Sequence, residues 1–171
     1  MNLPTWITVS RLVAIPLVFG LLADPSSNEH RWWAVTVFLV AACTDWLDGY
    51  LARRLNQVTD LGKFLDPLVD KLLVLAPLMV LVQLGTVPAW GVFLILAREL
   101  TVAGWRVSQS MIIGANRWGK VKTVVQIGAI ALLISPLSQT YPLFSQGLFW
   151  LAVALTWWSG LIYLTASSNI T

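Results

Sequence analysis

From Thr123 to Thr171 the chain runs 49 residues without an Asp, Glu, Lys, Arg or His. As one helix rising about 1.5 Å per residue, this stretch would be roughly 70 Å long, more than twice a bilayer core of about 30 Å. It must therefore fold back, and Ser135 to Pro142 supplies the turn residues at which it does so. The whole chain is 57% hydrophobic and 11% charged, against roughly 25% charged in an average soluble domain. A soluble globule is the wrong class for such a sequence.

Hydropathy and turn signals together predict one all-α domain, residues 1–171, crossing a membrane six times. The expected spans are 5–23, 31–53, 63–84, 88–109, 119–136 and 142–166. Asp24 to Asn28 and Gly85 to Pro88 punctuate the first and third breaks. With the N-terminus inside, ten of the eleven Lys and Arg residues lie on the inner side or in the inner helix halves, leaving Arg31 outside. The opposite topology inverts that ratio, so both termini are expected in the cytoplasm. Trp32, Trp33, Trp90, Trp157 and Trp158 sit near span ends, as an aromatic belt does. Basic residues threaded between apolar segments do not form a nucleic-acid surface, despite a formal charge of +3. A single cysteine, Cys43, excludes an internal disulfide and is expected to pack as a small apolar residue. The first 23 residues read as an uncleaved span, since no A-x-A site follows them.

Five of the eight acidic residues, Asp45, Asp48, Asp60, Asp66 and Asp70, crowd into 26 positions around the second loop. Asp45 and Asp48 are three apart near the end of span two, and Asp66 and Asp70 four apart near the start of span three. Each pair therefore projects from one helix face. An Asp near mid-membrane costs roughly 2.5 to 3.5 kcal/mol, so four would cost about 10 to 14 if unpaired. Arg53, Arg54 and Lys63 are too few to offset this, and bound cations are the simpler answer. Oxygen-only ligands favour Mg²⁺ or Mn²⁺ over Zn²⁺. Four carboxylates on two helices suit two ions about 3.5 to 4 Å apart, an arrangement that clamps a phosphate during in-line displacement. Gly49, Ala52 and Gly62, the last expected to close the loop, leave room for a phosphate ester near the backbone, or for close helix packing. Asp60 is placed to cap span three and Pro67 to occupy its first turn.

These residues read Asp45-x-x-Asp48-Gly49-x-x-Ala52-Arg53, then eight residues to Gly62, three to Asp66 and three to Asp70. At every fixed position this resembles the signature of the CDP-alcohol phosphatidyltransferases. The flanks are similar to the bacterial branch that uses glycerol 3-phosphate as acceptor: Asn2-Leu3-Pro4 with Thr8 and Arg11, Arg98-Glu99-Leu100 with Gly104-Trp105-Arg106, and Gly119 to Thr123 with Gln126. Thr5 stands where that branch usually has Asn. The resemblance implies a six-helix enzyme of the bacterial inner membrane, a homodimer with two divalent ions at a cytoplasm-facing site. It assigns Asp45, Asp48 and Asp66 to metal and Asp70 to metal and general base. It places Gly49, Ala52, Arg53 and Gly62 around the cytidine diphosphate group of CDP-diacylglycerol.

The implied reaction joins the hydroxyl of glycerol 3-phosphate to the phosphatidyl phosphorus and releases CMP. Arg98 and Arg106 on span four, with Lys120 and Lys122 opening span five, are the candidates for the acceptor's phosphate. The alternative for Arg106, Lys120 and Lys122 is plain compliance with the positive-inside rule. Related enzymes with another acceptor (inositol phosphate, phosphatidylglycerol or serine) remain alternatives, as does a cation carrier. A carrier requires acidic residues in both membrane halves, whereas these lie near one face.

Overall fold

The helix breaks after Leu22, after Gln83 and after Ile134 fall where the turn residues of the sequence indicate. The computed structural model describes residues 3–24, 26–55, 60–108 and 117–168, with side chains at 10–24, 26–44, 68–105, 118–163 and 165. Through the described residues run α1 (Leu3–Leu22), α2 (Asn28–Leu55), α3 (Asp60–Gln83), α4 (Ala89–Ser108), α5 (Arg117–Ile134), the single turn α6 (Leu137–Thr140) and α7 (Pro142–Ser168). The six long helices coincide with the six expected segments to within three residues at each end. The short α6 was not expected; it occupies the turn between the two halves of the uncharged tail.

Local chemistry accounts for the helix ends. Ser26 donates to Asp24 Oδ1 through its backbone N–H (3.2 Å) and its hydroxyl (2.6 Å), an Asx turn that halts the chain after α1. Ser27 then caps α2, its Oγ accepting from the His30 N–H at 3.3 Å. At the end of α3, Gly85 takes a left-handed φ of 67°. The Gly85 N–H donates to the Val82 carbonyl at 3.0 Å and the Thr86 N–H to the Leu81 carbonyl at 2.9 Å. This is a Schellman motif, with Pro88 following to stop any continuation. The Gln146 side-chain amide donates to the Thr86 carbonyl, fastening the start of α7 to the same turn.

Helix α1 packs against α2 and α3, while α7 packs against α5 and α4, and α2 meets α5 between these groups. Phe38, Leu78, Leu81, Ile130, Leu133 and Phe149 fill the centre. Glycine sets the spacing of α4 and α7. A Cβ at Gly91 would lie 2.8 Å from Phe149 Cε1, and one at Gly160 would lie 2.8 Å from Arg98 Nε. Because Gly91 meets Phe149 and Arg98 meets Gly160, the two helices run parallel.

The outward surface is also apolar. Val40 is 61% exposed, Phe93 65% and Val124 71%, and Trp32, Trp33, Trp90, Trp157 and Trp158 are exposed as well. Among the described residues, no helix is long and apolar enough to cross a membrane. In α1, α4 and α5 the charged residues Arg11, Arg98, Glu99 and Lys122 interrupt the apolar runs. Three local expectations change. Cys43 is exposed rather than packed. Because α3 begins at Asp60, Gly62 belongs to its first turn rather than to the loop. For the same reason Pro67 lies two turns inside the helix instead of in its first turn.

Candidate active site

The aspartate signature is carried by two helices. Asp45, Asp48, Gly49, Ala52 and Arg53 lie in the last half of α2, and Gly62, Asp66 and Asp70 in the first half of α3. The side chains of all these except Asp70 lie outside the described residues. Asp70 is half-exposed and accepts from Arg11 Nη1 of α1 at 2.7 Å. Arg11 itself is 1% exposed, so a fully buried cation is brought through α1 to the Asp70 carboxylate. A charge so buried is costly unless paired, and the Asp70 contact supplies a partner. In the sequence Arg11 stands out only as part of a family pattern. Its pairing with a residue 59 positions away leaves no trace in spacing.

A second polar cluster is buried among α4, α5 and α7. Arg98 Nη1 donates to Glu99 Oε1 at 3.0 Å, and Lys122 donates to the same oxygen. Arg98 Nη2 donates to Ser159 Oγ at 2.8 Å. Neighbouring helix positions point apart, yet the long arginine side chain folds back to reach Glu99. Two cations on one carboxylate leave the cluster net positive. Arg98 Nε and Gln126 Nε2 are buried and have no hydrogen-bond partner among the described residues. Gln126 lies four residues after Lys122, on the same face of α5. Both orphan groups are donors, which suits an anion rather than a cation.

The four candidate acceptor residues are not placed alike. Arg98 and Lys122 meet at Glu99, whereas Lys120 is exposed, as two residues on a helix turning about 100° each require. The Arg106 side chain lies outside the described residues. The helix that carries Asp70, α3, packs against both α4 and α5, which carry the second cluster. Ser159 and Gly160, which contact Arg98, gave no signal within the uncharged tail. Among the described residues no group of His, Cys, Asp and Glu is assembled as a metal site; the side chains of three of the four signature aspartates lie outside that description.

Comparison with known proteins identifies the family. The CDP-alcohol phosphatidyltransferase profile matches residues 1–158. A CDP-diacylglycerol–glycerol-3-phosphate 3-phosphatidyltransferase of Bacillus subtilis (strain 168) is 40% identical, over 96% of this chain and 94% of its own length. Proteins of the same name from Pseudomonas fluorescens (40% identical, 98% of this chain and 90% of its own) and Yersinia pestis (strain Pestoides F; 34%, 98% and 95%) are also similar. With a profile match over nearly the whole sequence and relatives aligned from end to end, this chain belongs to the CDP-alcohol phosphatidyltransferase family.

Proposed function

We propose that this protein transfers the phosphatidyl group of CDP-diacylglycerol to glycerol 3-phosphate, giving phosphatidylglycerophosphate and CMP. It is an enzyme, and its relatives carry the name of that activity over nearly their full length. The observation that carries the acceptor assignment is the buried, net positive Arg98–Glu99–Lys122 cluster beside the helix bearing Asp66 and Asp70. An acceptor with a phosphate gains charge-assisted hydrogen bonds there. Serine, which lacks one, does not.

The signature suits divalent metal. Its donors are carboxylates alone, two on each of two helices at i, i+3 and i, i+4 spacing, the chemistry of a hard cation. Asp45, Asp48, Asp66 and Asp70 would hold two Mg²⁺ or Mn²⁺ ions, which supply charge neutralisation at the transferring phosphate. Gly49, Ala52, Arg53 and Gly62 border the cytidine diphosphate portion. In the chemical step the acceptor hydroxyl oxygen bonds to the phosphatidyl phosphorus as the bond to CMP breaks, and CMP leaves with the electron pair. Asp70 accepts the hydroxyl proton. A carboxylate of ordinary pKa, about 3.9, is too weak to form an alkoxide beforehand, so the proton moves as attack proceeds. Arg11 orients that carboxylate through Oδ1. Direct displacement is favoured over a phosphatidyl-aspartate, because carboxylates committed to metal are poor nucleophiles.

The outward apolar surface supports a multi-pass membrane location. Exposed Val13, Val40, Phe93 and Val124 cover several helices, and a soluble monomer rarely exposes contiguous apolar area beyond a few hundred Å². Six spans with both termini inside the cell, an active site at the cytoplasmic face of a bacterial inner membrane, and a homodimer complete the reading.

The test is purified protein in detergent with CDP-diacylglycerol, Mg²⁺ or Mn²⁺, and a panel of labelled acceptors. Label entering lipid from glycerol 3-phosphate alone, with CMP released and both lost on chelation, is the expected result. Transfer to inositol phosphate, phosphatidylglycerol or serine instead would overturn the acceptor assignment. Failure with every acceptor would overturn the enzymatic reading and favour cation transport.

A further inference from the structure

Arg98 is held by α7 as well as by Glu99, and the two contacts differ in kind. The Ser159 hydroxyl donates to the Thr156 carbonyl at 3.0 Å. Its proton thus committed, Ser159 Oγ offers a lone pair to Arg98 Nη2 at 2.8 Å. The next residue, Gly160, lies flat against the arginine stem. A Cβ added there would approach Nε to 2.8 Å, Cγ to 3.2 Å and Cδ to 3.6 Å. These are mid-chain atoms of a side chain only 9% exposed, so the arginine cannot step aside without leaving its place. Arg98 Nη1 is meanwhile directed to Glu99. One hydroxyl and one missing methyl therefore fix both the height and the rotation of the guanidinium.

We propose that Ser159 and Gly160 are positioning residues for Arg98, so that the C-terminal helix α7 sets affinity for the phosphorylated acceptor. This rests on the assignment of Arg98 to the acceptor's phosphate. Two-pronged recognition of a phosphate by arginine depends on the angle of the planar fork, not on charge alone. A guanidinium displaced by one methyl keeps its charge and loses its alignment. Neither residue touches substrate. Their effect passes through Arg98 and falls on one substrate of the two.

The experiment measures kcat and the KM for each substrate in Ser159→Ala, Gly160→Ala, Arg98→Lys and Gly147→Ala. Gly147 is a control on the same helix, where an added Cβ meets nothing within 4 Å. Thermal unfolding in detergent is recorded for each. Ser159→Ala and Gly160→Ala are expected to raise the KM for glycerol 3-phosphate about tenfold, the scale of one charge-assisted hydrogen bond. The KM for CDP-diacylglycerol and kcat should stay within about twofold. Arg98→Lys should raise the acceptor KM at least as far, and Gly147→Ala should change nothing. An Arg98→Lys enzyme with an unchanged acceptor KM overturns the acceptor assignment beneath the proposal. An impaired Arg98→Lys beside kinetically normal Ser159→Ala and Gly160→Ala overturns the α7 role alone. Parallel losses for both substrates, or lowered unfolding temperatures with normal kinetics, make the pair simple helix packing and overturn it too.

Discussion

Arg31 and Arg98 are both nearly fully buried, yet their partners differ in kind. Arg31, at the start of α2, donates through Nε to the Ile134 carbonyl at 2.8 Å. Through Nη2 it reaches the Leu133 carbonyl, the Ser135 carbonyl and Ser138 Oγ at 3.1 to 3.2 Å. It meets the negative end of the α5 dipole and satisfies carbonyls that the helix leaves open. Arg98 instead shares a carboxylate with Lys122 and keeps Nε without a partner among the described residues. The first arrangement closes a helix end with carbonyl and hydroxyl acceptors of the chain itself. The second retains positive charge and an unused donor on helices packed against α3, which carries Asp66 and Asp70. Burial alone therefore does not mark a functional arginine; the state of its donors does.

The sharpest way to break this division is at Asp70, the described carboxylate of the aspartate half. Asp70→Asn preserves shape and an acceptor for Arg11 but removes the proton acceptor and a metal ligand. Turnover is expected to fall at least about a thousandfold, with the unfolding temperature little changed. Activity within tenfold of the parent would remove Asp70 from the base role.

Next in size is the contrast between the two arginines. Arg31→Ala strips the last turn of α5 of its donors, and a loss of about 3 kcal/mol in stability is expected. The KM values of the remaining folded enzyme should be unaltered. Arg98→Ala should do the reverse, raising the KM for glycerol 3-phosphate by about ten- to a hundredfold with a smaller change in unfolding temperature. Measuring detergent unfolding and both KM values for the two variants side by side tests the division directly. If Arg31→Ala alone shifts the acceptor KM, the division fails.

The same helix pair offers a finer comparison. Gly91 and Gly160 each admit a large side chain between α4 and α7, but Gly91 admits Phe149, which has no polar role. Gly91→Ala overpacks that contact, with Phe149 Cε1 at 2.8 Å and Trp150 Cη2 at 3.2 Å from the new methyl. A stability loss of about 1 to 3 kcal/mol is expected, with unchanged KM values for both substrates. An acceptor KM that moves here as it does in Gly160→Ala would show that kinetics report general loosening of α4 against α7.

Much of the fold could be read from residues that act locally. Gly85 with Pro88, and Ser135 to Pro142, end helices through backbone geometry, so the six long helices were anticipated closely. The α2–α3 turn was read less well. The expected loop extends through Gly62, but α3 begins at Asp60 and takes in Gly62, with Pro67 two turns inside. Asp60 lies at a position where a helix start and a loop look alike in sequence. At the candidate site, the type and spacing of the aspartates carried the chemistry. The grouping of Arg98, Arg106, Lys120 and Lys122 did not anticipate that Lys122 is buried against Glu99 while Lys120 is exposed. Arg11 with Asp70, Arg31 with the α5 carbonyls and Arg98 with Ser159 join residues 59 to 103 positions apart. Backbone carbonyls and a serine in an uncharged tail leave no pattern by which to find such partners.

The smallest expected effect lies at the Arg31 end, in the turn that leads into α2. The two donations from Ser26, chiefly its hydroxyl, hold the Asp24 carboxyl below its ordinary range. A depressed carboxyl stabilises the fold above its unfolded pKa, about 3.9, and that contribution disappears as pH falls through the folded value. The group is fully exposed, so water and salt screen it and the effect on stability is slight. A carbon-detected carboxyl titration of selectively labelled protein should place Asp24 below a free aspartate, and Ser26→Ala should move it upward. Acceptor KM should be indifferent to both pH 4 chemistry and Ser26→Ala, when assayed near neutrality. That indifference follows if the Arg31 end serves only to close α5, because a change in so local a turn then has no route to the Arg98 cluster.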